Sequence, residues 1–84
     1  MTQNVNIERR LRWQCRRGML ELDELLQSYL DRRYAHADAS EQDAFRALLK
    51  LSDQELFDYF FGALVPLDPQ LRHVIEHIRR AAGA

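Results

Sequence analysis

The 84-residue sequence is poor in the residues that mark disulfide-rich, metal-binding or membrane proteins. Its one cysteine, Cys15, can form no internal disulfide, and no zinc-ligand spacing surrounds it. No apolar run approaches the roughly 18–20 residues that span a bilayer, and residues 1–4 do not begin a signal peptide. A chain of this length has room for one domain. We therefore expect one helical domain over residues 1–84, located in the cytoplasm.

Signals for β-structure are also scarce. The sequence has no Asn-Gly or Asp-Gly hairpin turn and no sustained alternation of apolar β-branched residues. Apolar residues recur instead at the i, i+3, i+4, i+7 spacing of amphipathic helices. The pattern predicts an all-α fold, a compact bundle of five short helices.

Capping residues and breakers set the expected helix limits. We expect helices over residues 6–17 and 20–34, a loop over 35–39, a third helix from a cap at Ser40 to about residue 51, and a fourth over 53–61. Ser52 and Glu55 match a capping box. Pro69 is expected at the first position of the last helix, and residues 81–84 are expected to fray.

The apolar spacing also predicts the core. In the first helix, Ile7, Leu11 and Cys15 share one face at about 100° per residue. The remaining core positions are expected on the other four helices: Leu22, Leu25, Leu26, Tyr29, Leu30, Phe45, Leu48, Leu49, Leu56, Phe57, Phe60, Phe61, Leu71, Val74, Ile75 and Ile78.

Trp13 falls on the opposite face of the first helix, among the arginines. Arginines there could stack on its ring, or the ring could be an exposed anchor for a partner. Alternatively, a later helix packs over Trp13 and buries it, as is usual for a lone tryptophan. The sequence leaves these alternatives open.

Charge is distributed unevenly along the chain. Residues 1–20 carry a net charge of +4, residues 21–59 carry −6, and the whole chain carries −1. This asymmetry indicates oriented contact with a partner, although ordinary solvated helix faces also carry mixed charge. Arginine outnumbers lysine eleven to one. Arginine suits bidentate carboxylate recognition, but a compositional bias of the source genome explains the ratio as well.

Residues for catalysis or metal binding are not assembled in any familiar pattern. His73 and His77 are spaced i, i+4, but no third ligand lies nearby in the sequence, so we expect no metal site. Cys15 lies on a buried stripe, where thiols are usually inert. The phosphate-binding loop, the serine nucleophile elbow and the HExxH motif are all missing. We expect that the protein is not an enzyme.

The dense charge of residues 9–24 surrounds a glycine, Gly18, that we interpret as a hinge between the first two helices. Binding of the arginine-rich helix to nucleic acid is one alternative. The acidic middle of the chain and a pI of about 6.3 weigh against it.

Residues 15–23, Cys-Arg-Arg-Gly-Met-Leu-Glu-Leu-Asp, resemble the RGxxE signature of the SdhE-type family of succinate dehydrogenase assembly factors. Arg17, Gly18 and Glu21 stand at the R, G and E positions. The resemblance extends to Arg10 and Trp13 upstream and to the stretch 53–57 downstream. It covers nearly the whole chain.

The resemblance implies a five-helix bundle that binds the flavoprotein subunit of succinate dehydrogenase, and also that of fumarate reductase. It implies that the chain promotes covalent attachment of FAD to a histidine of that subunit. We also expect that the chain holds no cofactor stably itself and is a monomer when free. The expected partner-binding residues are Arg10, Trp13, Arg16, Arg17, Gly18, Met19, Glu21 and Asp23.

We hypothesise that Arg17 and Glu21 form charge-assisted hydrogen bonds to the partner, and that Gly18 permits close approach of the backbones. The alternative is that Arg17 and Glu21 only pair with each other across the hinge. Relatives in this family have also been described as antitoxins, so neutralisation of a toxin protein is an alternative function.

Overall fold

The computed structural model describes residues 2–83, with side chains from residue 6 onward, and contains five α-helices. A short 3-10 turn, Tyr34–His36, follows the second helix. The helices are α1 Thr2–Gln14, α2 Leu20–Arg32, α3 Ala39–Leu48, α4 Asp53–Phe61 and α5 Pro69–Gly83. The all-α prediction is confirmed.

The capping residues explain where two of these helices begin. Ser52 accepts a hydrogen bond from the Glu55 amide at 3.1 Å, and the Glu55 carboxylate accepts one from the Ser52 amide at 3.2 Å. The predicted capping box is therefore confirmed. The predicted cap of α3 at Ser40 is wrong, because Asp38 accepts the Glu41 amide at 2.8 Å and the helix begins earlier.

Three helices end before their predicted limits. The amide of Cys15 is shared between the carbonyls of residues 11 and 12, so α1 tightens and ends at Gln14 instead of residue 17. The second helix ends at Arg32, and the chain continues into the 3-10 turn. The amides of Lys50 and Leu51 likewise donate to carbonyls three residues earlier, in the 3-10 pattern, so α3 ends at Leu48.

The core forms around α2, which packs against α5, while α3 also packs against α5. Every helix contributes to one cluster of buried residues, and Leu11 and Cys15 join it from the first helix and the residue after it. Ile7 was expected in the same stripe, but it is 48% exposed. Among the described side chains of α1, Leu11 is the one that joins the cluster, so the buried stripe does not extend back to Ile7.

The fourth helix buries a narrower face than its four aromatic and leucine residues predict. Leu56 and Phe60 are buried, as expected. Phe57 and Phe61 are exposed, so their assignment to the core is wrong. They lie one turn apart, and their rings pack on each other with centroids 5.1 Å apart.

The last helix packs through Val74, Ile75 and Ile78 and continues to Gly83. The expected fraying is wrong for Ala81, because this residue packs against the core and its carbonyl accepts a hydrogen bond from Arg32 at 2.8 Å. Residue 84 lies outside the described residues. None of the described helices is both long and apolar enough to cross a membrane.

Candidate functional site

The five residues between α1 and α2 form a turn that depends on one glycine. Gly18 has a φ of 79°, a left-handed conformation that side chains with a Cβ rarely adopt. A Cβ added at Gly18 would meet no atom within 4 Å. Glycine is therefore needed here for its backbone conformation, and the space in front of it is open to a partner.

Asp23, near the start of α2, stabilises this turn through hydrogen bonds to its backbone. Its carboxylate accepts hydrogen bonds from the backbone amides of Arg17, at 2.7 Å, and Gly18, at 3.3 Å. Both amides precede α2 and would otherwise lack a helical partner. The expected contact of Asp23 with a partner stays a prediction, but the structure gives this carboxylate an internal role.

Arg17 turns its side chain into the protein. The guanidinium donates to the carbonyl of Leu51 at 3.2 Å, to the carbonyl of Leu49, and to the carboxylate of Asp53 at 3.1 Å. The Arg17 side chain is only 15% exposed. These bonds fasten the α1–α2 turn to the end of α3 and the start of α4.

Glu21 is exposed on the first turn of α2. Arg17 forms its ion pair with Asp53 at 3.1 Å, so the alternative of an internal Arg17–Glu21 pair is wrong within the described residues. The carboxylate of Glu21 therefore faces solvent beside the turn. It is suited to accept charge-assisted hydrogen bonds from a partner.

Trp13 and Leu20 are the exposed apolar side chains on either side of the turn. Trp13 is 72% exposed and Leu20 is 74% exposed. Among the described residues, the cation–π contact is Arg79 over Phe60, at 5.9 Å, so arginine stacking on Trp13 is not seen. Of the alternatives left open by the sequence, the structure selects the exposed ring.

The sequence pattern did not single out Leu20 as a surface residue of this turn. The available signal was its position off the buried stripe of α2, which runs through Leu22 and Leu26. Met19, one residue earlier, was expected to contact a partner. Its side chain is partly buried and packs against the core, so only part of it is accessible.

The structure places the other two predicted arginines, Arg10 and Arg16, beside this turn and within it. Arg10 and Arg16 are exposed, the first on α1 and the second in the turn. Arg12 instead pairs with Asp31 at 2.6 Å and ties α1 to α2. We call the exposed residues around the turn the docking surface: Arg10, Trp13, Arg16, Gly18, Leu20 and Glu21.

Several arginines elsewhere bind backbone carbonyls at helix ends and loops. Arg72 donates to the carbonyls of Pro66 and Leu67, both at 2.9 Å. Arg79 donates to those of Tyr59 and Phe60, at 2.8 and 3.2 Å. A planar guanidinium reaches two acceptors at once, which a lysine ammonium does less well. With Arg17 and Arg32, four of the eleven arginines have this structural role, which composition alone did not reveal.

The histidines, the cysteine and the carboxylates of the described residues form no cluster that suits a metal ion. No group of three or more His, Cys, Asp and Glu side chains there could hold a metal ion. His77 lies 3.5 Å from Glu41. Burial raises the pKa of the Cys15 thiol to about 12, which agrees with an inert cysteine.

Comparison with known proteins shows the family to which the chain belongs. Residues 9–82 match the family model Sdh5, described as flavinator of succinate dehydrogenase. The FAD assembly factor SdhE of Shewanella oneidensis is 42% identical over 74 residues, 88% of this chain and 90% of the relative. That of Methylococcus capsulatus is 43% identical, over 88% and 89% of the two chains.

A third relative, from Pasteurella multocida, is also named FAD assembly factor SdhE and is 37% identical over 84% of each chain. No solved structure matches the chain. These names give no support to the antitoxin or nucleic-acid alternatives.

Proposed function

Because the chain belongs to the Sdh5 family of succinate dehydrogenase flavinators, we propose that it binds the flavoprotein subunit of succinate dehydrogenase and promotes covalent attachment of FAD there. The observation that carries the proposal is the turn around Gly18, where exposed Trp13, Leu20 and Glu21 are presented by a rigidly fastened backbone. A domain does not need an exposed tryptophan beside a glycine turn in order to fold.

A docking protein can promote a reaction without catalytic groups of its own. If it binds one conformation of the subunit more tightly than the others, it raises the population of that conformation. Trp13 and Leu20 would supply the apolar contact, and the Glu21 carboxylate would supply directional hydrogen bonds. The chain then holds no cofactor stably, and the flavin bond forms on the partner.

Within the RGxxE signature and just after it, we assign two different kinds of role. Gly18 and Glu21 face the partner, and the open space at Gly18 lets a partner approach the backbone. Arg17 and Asp23 are positioning residues, because the terminal guanidinium nitrogens of Arg17 and the carboxylate of Asp23 hydrogen-bond to groups of the chain itself. Exposed Arg10, on α1, and Arg16, in the turn, add positively charged groups to the contact with the partner.

The flavoprotein subunit of fumarate reductase is a second expected partner. It is proposed only on the resemblance described above, and it would use the same docking surface. Both subunits would contact a chain that is a monomer when free.

The proposal is tested by mixing the purified chain with apo flavoprotein subunit and FAD and following covalent flavin by in-gel fluorescence. We expect faster flavin attachment than with the subunit alone. Trp13→Ala and Glu21→Gln should each reduce the rate, by about tenfold if each removes about 1.4 kcal/mol of docking energy.

Matched controls lie away from the turn. Leu67→Ala truncates another exposed apolar side chain, and Glu76→Gln neutralises another exposed carboxylate. Both controls should keep the wild-type rate, and all four variants should keep their helicity. If the wild-type chain does not increase the rate of flavin attachment, the proposed function is wrong. If the variants and the controls lose the same amount of this rate, the contact does not lie at the turn.

A further inference from the structure

A second surface feature lies at the other end of α2 and is lined by basic residues. It is a groove of about 330 Å³ between the end of α2, the 3-10 turn and the last turns of α5. Since α2 rises 1.5 Å per residue, the groove begins about 18 Å from the docking surface. Its lining residues are Arg32, Arg33, His36, His77, Arg80 and Ala81.

Contacts inside the protein hold two of the arginines in place. Glu41, only 11% exposed, accepts hydrogen bonds from Arg33 at 2.7 and 3.0 Å. Arg32 donates to the carbonyl of Ala81 at 2.8 Å. A guanidinium has five N–H groups, so both arginines keep donors for a ligand. Their geometry is largely fixed before a ligand arrives, which lowers the entropy cost of binding.

The charge of the groove has one sign. Three arginines and two imidazoles line it, and no carboxylate does so among the described residues. Glu41 pairs with Arg33 and lies 3.5 Å from His77, and Glu76 lies 3.9 Å from Arg80, but neither carboxylate lines the groove. Arg32 and Arg80 also suit the negative ends of α2 and α5. That role accounts for a cation on each helix, but not for their convergence with Arg33 and two histidines on one groove.

We propose that this groove binds a ligand that carries phosphate groups, and most favourably a diphosphate. Arginine forks match the oxygens of phosphate bidentately. Three arginines can neutralise more than the single charge of a carboxylate. The volume is also within the range of small-molecule sites and exceeds the needs of a single small anion. The inference concerns the isolated chain, so it does not depend on the proposed function.

The test is a titration of the ¹⁵N-labelled full chain with inorganic pyrophosphate, and separately with ADP, at low salt. We expect saturable shifts of the backbone amides of residues 32–36 and 77–81 with both ligands, and weaker binding as salt rises. Phosphate as a single group should bind more weakly than pyrophosphate. Saturation confined to other residues, or shifts that never saturate, would overturn the proposal.

Variants distinguish a specific binding site in the groove from nonspecific attraction of anions to a positively charged protein. The double variant Arg32→Gln, Arg80→Gln should bind pyrophosphate at least about tenfold more weakly, the effect of about 1.4 kcal/mol. Arg9→Gln, Lys50→Gln removes the same charge at exposed positions outside the groove and should bind like the wild type.

Since Arg32 also contacts Ala81, the single variant Arg80→Glu provides a second test at an exposed position. It should also weaken binding at least about tenfold. Equal affinities of the groove and control variants would overturn the proposal. A hexaglutamate peptide that binds the wild type as tightly as pyrophosphate would overturn the assignment to phosphate.

Discussion

At the scale of single residues, Arg17 shows what the sequence can and cannot predict. The RGxxE signature identified Arg17, Gly18 and Glu21 as a unit, and the structure places all three at one turn. The direction of the Arg17 side chain was not predictable. It depends on where the carbonyls of Leu49 and Leu51, more than 30 residues away in the chain, lie in space.

The positioning role of Arg17 leads to a test with a conservative substitution. Arg17→Lys keeps the charge but cannot reach three acceptors with one planar group. We expect it to lower the free energy of unfolding by about 1–3 kcal/mol, since the half-buried carbonyls of Leu49 and Leu51 lose their donors. Urea unfolding followed by circular dichroism measures the change.

Arg16→Lys, at the neighbouring exposed position, is the matched control and should change stability by less than about 0.5 kcal/mol. If Arg17 positions the turn, Arg17→Lys should also shift the backbone amide signals of residues 15–20 in the folded protein. Unchanged signals and unchanged stability would show that Arg17 does not hold the turn.

At the scale of helices, apolar spacing and capping residues predicted element type better than element limits. The limits of α4 and the start of α5 follow from Ser52, Gly62 and Pro69 and were correct. The predicted ends of α1 and α3 were too late, because the final turns of both helices tighten and their amides donate to carbonyls three residues earlier. Nothing in the apolar spacing distinguishes a tightened turn from a continuing helix.

One polar network links three helices and makes stability depend on pH. Glu41 of α3 accepts hydrogen bonds from Arg33 and Tyr29 at the end of α2, at 2.7 and 2.6 Å, and lies 3.5 Å from His77 of α5. The hydrogen bond from Arg33, and then that from Tyr29, lower the pKa of Glu41 below its ordinary value of 4.5. Ionised Glu41 therefore stabilises the fold.

The lowered pKa of Glu41 determines how the stability of the fold changes with pH. The folded pKa of Glu41 is lower than the unfolded pKa, so its stabilisation is present above about pH 4.5 and is lost as pH falls through the folded pKa. We expect Glu41→Gln to lower the free energy of unfolding at pH 7 by about 1–2 kcal/mol.

Urea unfolding at pH 7 and pH 3 measures this difference. The difference should shrink as the pH falls through the folded pKa of Glu41, because the wild-type carboxyl then becomes protonated. Glu76→Gln, at an exposed position on α5, should show little difference at either pH. An equal cost of Glu41→Gln at both pH values would contradict the ionised network.

At the scale of the whole molecule, α2 separates two surfaces of different chemistry. Its N-terminal end carries the docking surface with Trp13, Leu20 and Glu21, and its C-terminal end carries the basic groove. The sequence predicted a partner surface in the first third of the chain from its charge and its glycine. It did not predict the groove, because residues 32–36 and 77–81 meet only in the folded chain.

The exposure of Trp13 allows the docking surface to be observed directly. Trp13 is the only tryptophan in the sequence, so 5-fluorotryptophan labelling introduces one ¹⁹F NMR signal, whose chemical shift reports the surroundings of the ring. The labelled chain is titrated with unlabelled apo flavoprotein subunit, and complex formation is followed independently by size-exclusion chromatography.

Our account predicts that the ¹⁹F signal moves or broadens in proportion to the complex formed and saturates at one chain per subunit. Glu21→Gln should shift the titration to higher subunit concentrations. A complex that forms while the Trp13 signal stays at its free position, or no complex at all, would contradict the claim that the turn between α1 and α2 docks the flavoprotein.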